Sequence, residues 1–186
     1  MHERSECVGA LEAVFSRVVP LGDFAETIGG RIEATAQERE QLAGLFGIES
    51  LESFTFDYKL QPAGTDRAQL SGEIHAELTQ ACILTLEPVR ETVDETVSLD
   101  CWPQNQIGRK DAAGPQADPQ GLPADPPAPI VKGRINVGAL AGEILASAIN
   151  PYPRKDGAEF AWDDSRYEDG EASGPFAELA KLKSKR

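Results

Sequence analysis

Histidine is nearly missing from this chain, which has only His2 and His75. With no Gly-x-Ser-x-Gly elbow either, a Ser-His-acid hydrolase has no base and no nucleophile turn. His75 falls on the polar side of an alternating stretch and reads as a solvent-facing histidine. Cysteine is scarce too: Cys7, Cys82 and Cys101 are an odd, widely spaced set. That excludes a disulfide framework and points to buried thiols in a reducing compartment. Cys82 and Cys101 could approach across neighbouring strands, but two thiols without histidine support make a poor zinc site. No apolar run reaches the roughly 18 residues of a membrane span, and the charged start Met-His-Glu-Arg-Ser-Glu-Cys leads into no apolar segment. No secretion signal is therefore expected, and the cytoplasm is the expected compartment.

Phosphate-cradling loops are missing as well. Gly29-Gly30 lacks both a following Lys-Ser/Thr and a full Gly-x-Gly-x-x-Gly pattern, so it reads as a turn. Glu91 and Glu95, the nearest thing to a carboxylate pair, would stand about 13 Å apart on a strand, farther than a glycosidase pair allows. They read as solvated acids, or as inward charge guarding a sheet edge. Basic residues are outnumbered, 18 against 31 acids, for a formal charge of −13. Such a chain repels nucleic acid at long range, and its natural electrostatic partners are basic proteins.

What is present is mostly strand. From Ala68 to Leu86 nearly every even position is apolar: Leu70, Ile74, Ala76, Leu78, Cys82, Leu84 and Leu86. The odd positions Gln69, Ser71, Glu73, His75, Glu77 and Thr79 are polar. Period two puts one face on a core and the other in water. So long a strand is expected to bend, at Gly72 or at a bulge near Gln80. Pro88 marks the corner into a return strand, Val89 to Cys101. Before these, Leu51 to Gln61 reads as a strand with Phe54, Phe56, Tyr58 and Leu60 on one face, joined to the next by Pro62–Asp66 turn chemistry.

Nearer the N-terminus, Ala13 to Val19 reads as a strand and Arg31 to Ala34 as a short extended piece. Thr35-Ala36-Gln37-Glu38 is a capping box opening a helix to Phe46, with Leu42, Leu45 and Phe46 inward and Gly47 closing it. From Pro103 to Pro129 lie seven of the thirteen prolines and no aromatic residue, which predicts a long disordered insert. Asn136 is a candidate N-cap for a helix from Val137 to Ile149 carrying Leu140, Ile144, Leu145 and Ala148. A helix this apolar is either clamped between other elements or offered to a partner. Asn150-Pro151-Tyr152-Pro153 stops it. The fold expected is α+β: a curled, partly closed antiparallel sheet with two or three packed helices, in a single domain over 1–172. That domain includes the insert 103–129 and an acidic linker 155–173. Residues 174–186 are expected to form a basic amphipathic helix, with Pro175 at its first position and Phe176, Leu179 and Leu182 in line. Lys181, Lys183, Lys185 and Arg186 could meet RNA phosphate, an acidic partner, or the protein's own acidic surface.

Three islands carry a family resemblance. Gln80-Ala81-Cys82-Ile83-Leu84-Thr85-Leu86-Glu87-Pro88-Val89 resembles the central motif of the YceD-like proteins in their alphaproteobacterial branch. Ile135-Asn136-Val137-Gly138-Ala139-Leu140-Ala141, running on to Asn150-Pro151-Tyr152-Pro153-Arg154-Lys155, is similar to that branch's helix and proline-rich exit. Pro175-Phe176-Ala177-Glu178-Leu179-Ala180-Lys181-Leu182-Lys183 resembles the closing motif. The islands fall in family order over about the last hundred residues. Family members are known as large ribosomal RNA subunit accumulation proteins.

The resemblance therefore implies a bacterial cytoplasmic factor for synthesis, processing or stability of large-subunit (23S) ribosomal RNA, with no catalytic residues to carry over. Thr85 stands where many members have the second Cys of a Cys-x-x-Cys, and Cys101 lies near a downstream Cys. No metal, cofactor, membrane or small-molecule substrate is expected. The partner expected is a ribosomal protein or another large-subunit assembly factor. Contact is expected through Arg154, Lys155, Phe176, Leu179, Lys181, Leu182, Lys183, Lys185 and Arg186, the alternative being direct RNA binding by the basic C-terminus.

Overall fold

The computed structural model describes residues 3–21, 26–107 and 126–159. It divides into two units, Met1–Lys155 and Asp156–Arg186. Only residues 156–159 of the second are described, so the architecture below is that of the first.

The first unit contains α1 (Glu3–Val14), β1 (Val18–Pro20), β2 (Ile28–Glu33), α2 (Ala36–Phe46), β3 (Ser50–Pro62), β4 (Ala68–Ala81), β5 (Pro88–Pro103), β6 (Ala128–Ile130), β7 (Arg134–Asn136) and α3 (Val137–Ala148). Five strands form one sheet in the order β2-β3-β4-β5-β6, and β1 pairs with β7 in a second, two-stranded sheet. The class is α+β, as the sequence indicates. The sheet, however, is open rather than partly closed, because β2 and β6 lie at opposite ends of the strand order and do not pair. It is also mixed: β6 runs parallel to β5 beside Cys101–Pro103.

The alternation read from the sequence is what makes the sheet two-faced. Phe54, Phe56 and Leu60 of β3 stand opposite Ala76, Ile74 and Leu70 of β4, and all six are buried. Burying each large side chain of this kind stabilises by about 1.5–3 kcal/mol. Opposite faces carry Thr55 beside His75 and Lys59 beside Ser71. His75 is exposed, with Nδ1 2.6 Å from Asp94 Oδ1 on β5.

Three local expectations are corrected. Of the strand expected over Ala13–Val19, only Val18 and Val19 are extended, in β1: α1 runs through Val14, and the Phe15 amide still donates to Leu11 O at 2.8 Å. Leu11 and Phe15 are one helical turn apart and both 1% exposed, so burial at the 3.6-residue period overrides the β-branched Val14 and holds this part helical. Gly29-Gly30 is not a turn but the middle of β2, where a Cβ on Gly30 would meet the Tyr58 ring at 3.0–3.2 Å. The ring lies across the place a side chain would occupy. Finally, the bulge sits in β3, where the register with β4 shifts between Leu51 and Ser53. Gly72 is not a break. It keeps its register opposite Tyr58, where an added Cβ would stand 2.2 Å from Asp57 O.

α2 begins as expected. Glu38 N donates to Thr35 Oγ1 at 3.3 Å and Thr35 N donates to Glu38 Oε2 at 2.8 Å, the two halves of the capping box. Arg17 adds two bonds to the same carboxylate, at 2.8 and 2.9 Å. Gly47 ends the helix in the left-handed conformation with φ 69°. Leu42 is fully buried, whereas Leu45 and Phe46 are only half-buried.

For α3, the alternative of clamping is the one realised. Asn136 Oδ1 accepts from Ala139 N at 3.2 Å and from Arg17 N at 2.9 Å, capping the helix and tying it to the end of α1. A Cβ on Gly138 would come within 2.8 Å of Phe15 O and Arg17 N, so the glycine lets the two chains touch. The inward stripe is Val137, Ala141 and Leu145, while Leu140, Ile144 and Ala148 are half-buried. Of the insert expected over 103–129, the two ends are ordered: Pro103 closes β5 and Ala128–Ile130 is β6. Residues 108–125 lie outside the described residues.

Candidate docking surface at the β4–β5 turn

Alternation predicts that β4 continues to Leu86, but it stops at Ala81. A turn takes over, in which Leu86 N donates to Cys82 O at 2.9 Å and Cys82 N donates to Glu87 O at 2.8 Å. Leu86 adopts φ 59°, a left-handed conformation that costs a residue with a Cβ roughly 1–2 kcal/mol. The Thr85 hydroxyl accepts from Glu87 N at 3.4 Å, and Pro88 starts β5 at the expected corner.

The proline-rich exit of α3 clasps this turn. Gln80 Nε2 donates to Asn150 O at 3.1 Å, and Ile83 N donates to Pro153 O at 3.0 Å. Lys155 closes the clasp twice, its amide reaching Cys82 Sγ at 3.4 Å and its ammonium reaching Glu87 Oε2 at 2.9 Å. The ion pair raises the Lys155 pKa and lowers that of Glu87, each chiefly through the shared hydrogen bond. Both side chains are half exposed, so the pair orients more than it stabilises.

The two described thiols behave in opposite ways. Cys82 is closed to solvent. Donors converge on its sulfur: the Thr85 hydroxyl first, then the Lys155 amide and the amides of Thr85 and Leu84. Together they bring the thiol down from 9.0 to about 6. Cys101 lies deep in the core, and burial drives its thiol up to about 11. The two do not converge. Cys101 pairs with Ala68 at one end of the β4–β5 ladder and Cys82 follows Ala81 at the other, roughly 40 Å away at about 3.3 Å per residue. Among the described residues no group of three or more His, Cys, Asp or Glu side chains is placed to hold a metal ion. Thr85, in the position of a second cysteine, instead serves the first one as a hydrogen-bond donor.

Around the clasp, apolar side chains face water. Leu86 is 76% exposed, Tyr152 70% and Ile83 42%. Three large apolar groups, two on the turn and Tyr152 on the exit that clasps it, beside exposed Arg154 and Lys155, make a surface suited to holding another protein. Arg154 and Lys155 are thus placed together at this surface. Phe176, Leu179, Lys181, Leu182, Lys183, Lys185 and Arg186 lie outside the described residues. Ile83, Leu86 and Tyr152 are the residues that sequence reasoning misses. The signal available was local: Glu87-Pro88 requires a corner, and a corner ends the alternation that assigned Leu86 to a core.

Among the described residues, no helix is long and apolar enough to cross a membrane. Compared with protein-family models, with curated proteins and with solved structures, the chain matches none of them.

Proposed function

We propose that this chain is a non-enzymatic factor of the bacterial cytoplasm that supports the synthesis, processing or stability of large-subunit ribosomal RNA. It acts by docking to a protein, either a ribosomal protein or another large-subunit assembly factor. The observation that carries this reading is the clasp. Two of the sequence islands similar to the YceD-like family, Gln80–Val89 and Asn150–Lys155, are far apart in sequence and joined by four hydrogen bonds in space. The joint exposes Ile83, Leu86 and Tyr152 in place of a polar cavity. An acidic chain with an apolar knob suits a basic protein partner better than a phosphate backbone.

The test is affinity purification of the tagged full chain from growing cells, together with measurement of large-subunit RNA after deletion of its gene. Co-purified large-subunit precursors and reduced large-subunit RNA support the reading; unchanged RNA levels reject it. Direct RNA binding through Arg154, Lys155, Lys181, Lys183, Lys185 and Arg186 predicts a steeply salt-dependent affinity for naked RNA that falls on removal of the last six residues.

A further inference from the structure

Among the described residues, the outer edge of β5 is a largely unfilled ladder. β4 pairs with one side of β5 from Pro88 to Cys101. On the other side β6 covers only Cys101–Pro103. Among the described residues, no strand pairs with Pro88–Asp100 along that edge. The edge is competent to take a strand, since it already holds β6 at its far end. Its near end opens directly onto Leu86 and the knob described above.

The side chains along this edge state what kind of strand fits. On the face shared with the core, Val93 and Val97 are buried, opposite Ala76 and Gly72. The same face carries Glu91 opposite Leu78 and Glu95 opposite Ile74. Both acids thus look toward apolar neighbours on one side and toward the open edge on the other. Among the described residues neither is paired with a cation. Inward charge on an edge discourages self-pairing, because a second copy would set acid against acid. A cation arriving on an added strand meets the same two carboxylates favourably, about 5 Å across the new pair.

We propose that the free edge of β5 binds an extended basic segment of a partner protein by strand addition. On one face that segment carries Lys or Arg at two positions four residues apart, with a small apolar residue midway between them. The outer cations pair with Glu91 and Glu95, and the middle residue packs beside Val93. Because this pattern reads the same in both directions, either strand orientation satisfies it. The inference rests on the docking role proposed above and specifies the partner's chemistry: an unstructured, positively charged protein tail, ordered as it adds to the sheet.

The experiment uses the full chain and a labelled synthetic peptide containing Lys-Thr-Val-Thr-Lys, with binding read by fluorescence anisotropy at low and moderate salt. The expected result is saturable binding that weakens with salt. It should weaken at least about tenfold in E91K/E95K and a few-fold in E91Q/E95Q, with circular dichroism confirming that each variant is folded. A peptide with Glu in place of both Lys should prefer E91K/E95K. Methylating alternate peptide amides on the edge-facing side should abolish binding, because the ladder then loses its hydrogen bonds.

Equal affinity of the wild type and E91K/E95K overturns the proposal, as does undiminished binding of the methylated peptide or no peptide binding. Edge amides of Pro88–Asp100 already protected from hydrogen exchange in the free protein overturn it in favour of the chain's own segment. Displacement of the peptide by single-stranded RNA, or edge-to-edge self-association, overturns it in favour of those occupants. No ribosomal component enters this assay, so its failure leaves precursor co-purification standing. Failed co-purification with intact peptide binding removes only the ribosomal assignment.

Discussion

The backbone amide of Lys155 donates to the sulfur of Cys82 at 3.4 Å, across seventy-three residues of sequence. That bond joins the turn after the longest alternating stretch to the exit of the most apolar helix. It also helps hold the Cys82 thiol at about 6.

One consequence is a pH signature. Because the thiol is depressed in the folded state from an ordinary 9.0, ionised Cys82 favours folding fully above pH 9, and this contribution is lost as pH falls through about 6. The difference in urea midpoint between wild type and C82S should therefore grow from pH 5.5 to pH 9. A difference that stays flat over that range would show that the donors around the sulfur do not favour the thiolate.

The capping carboxylate works in the acid range. Glu38 is held below its ordinary 4.5, chiefly by the hydrogen bond from Arg17, so its contribution is present above that value and lost as pH falls below it. E38A should cost about 1–2 kcal/mol at neutral pH, measured by urea unfolding, with the cost shrinking toward pH 3.

Glycine positions separate by what a methyl group would strike. At Gly72 and Gly138 the nearest obstacles are backbone atoms, at 2.2 Å and 2.8 Å. At Gly142 the obstacle is the tip of Leu11 at 2.9 Å. G72A and G138A should each destabilise by roughly 2–4 kcal/mol, while G142A should cost about 1 kcal/mol or less as Leu11 shifts. Thermal midpoints of the three variants check the order.

Leu86 sets stability against docking. Replacing it with glycine relieves a left-handed leucine and should raise stability by about 1 kcal/mol. The same change removes the most exposed apolar side chain of the knob, so L86G should melt later and capture less partner. A variant that melts earlier would mean the Leu86 side chain packs in the fold.

Much of the fold could be read from residue order because it is governed by local rules. Thr35 and Glu38 announce a capping box, Gly47 a helix end, and Phe54, Phe56 and Leu60 a buried face. Where distant partners decide, the sequence misleads. Val14 suggests that the strand of Val18 and Val19 reaches back to Ala13, until Phe15 is seen packed against Phe54, their ring centroids 5.1 Å apart. Gly30 suggests a turn until Tyr58 is placed over it. Closure of the sheet, inferred from long strands alone, depends on edge pairing that no local pattern encodes. The docking surface was half visible: Arg154 and Lys155 stand out as charges. Leu86 and Tyr152 look like ordinary apolar residues until the corner at Pro88 and the clasp at Pro153 turn them outward.

On the docking role proposed above, the clasped turn holds a protein of the large-subunit pathway. The most direct measurement of this is recovery of large-subunit precursors on the tagged full chain, compared with L86D/Y152D, a double variant on the exposed knob that leaves the core intact. Recovery should fall at least tenfold while the variant melts within a few degrees of wild type. Equal recovery by the two proteins would contradict it.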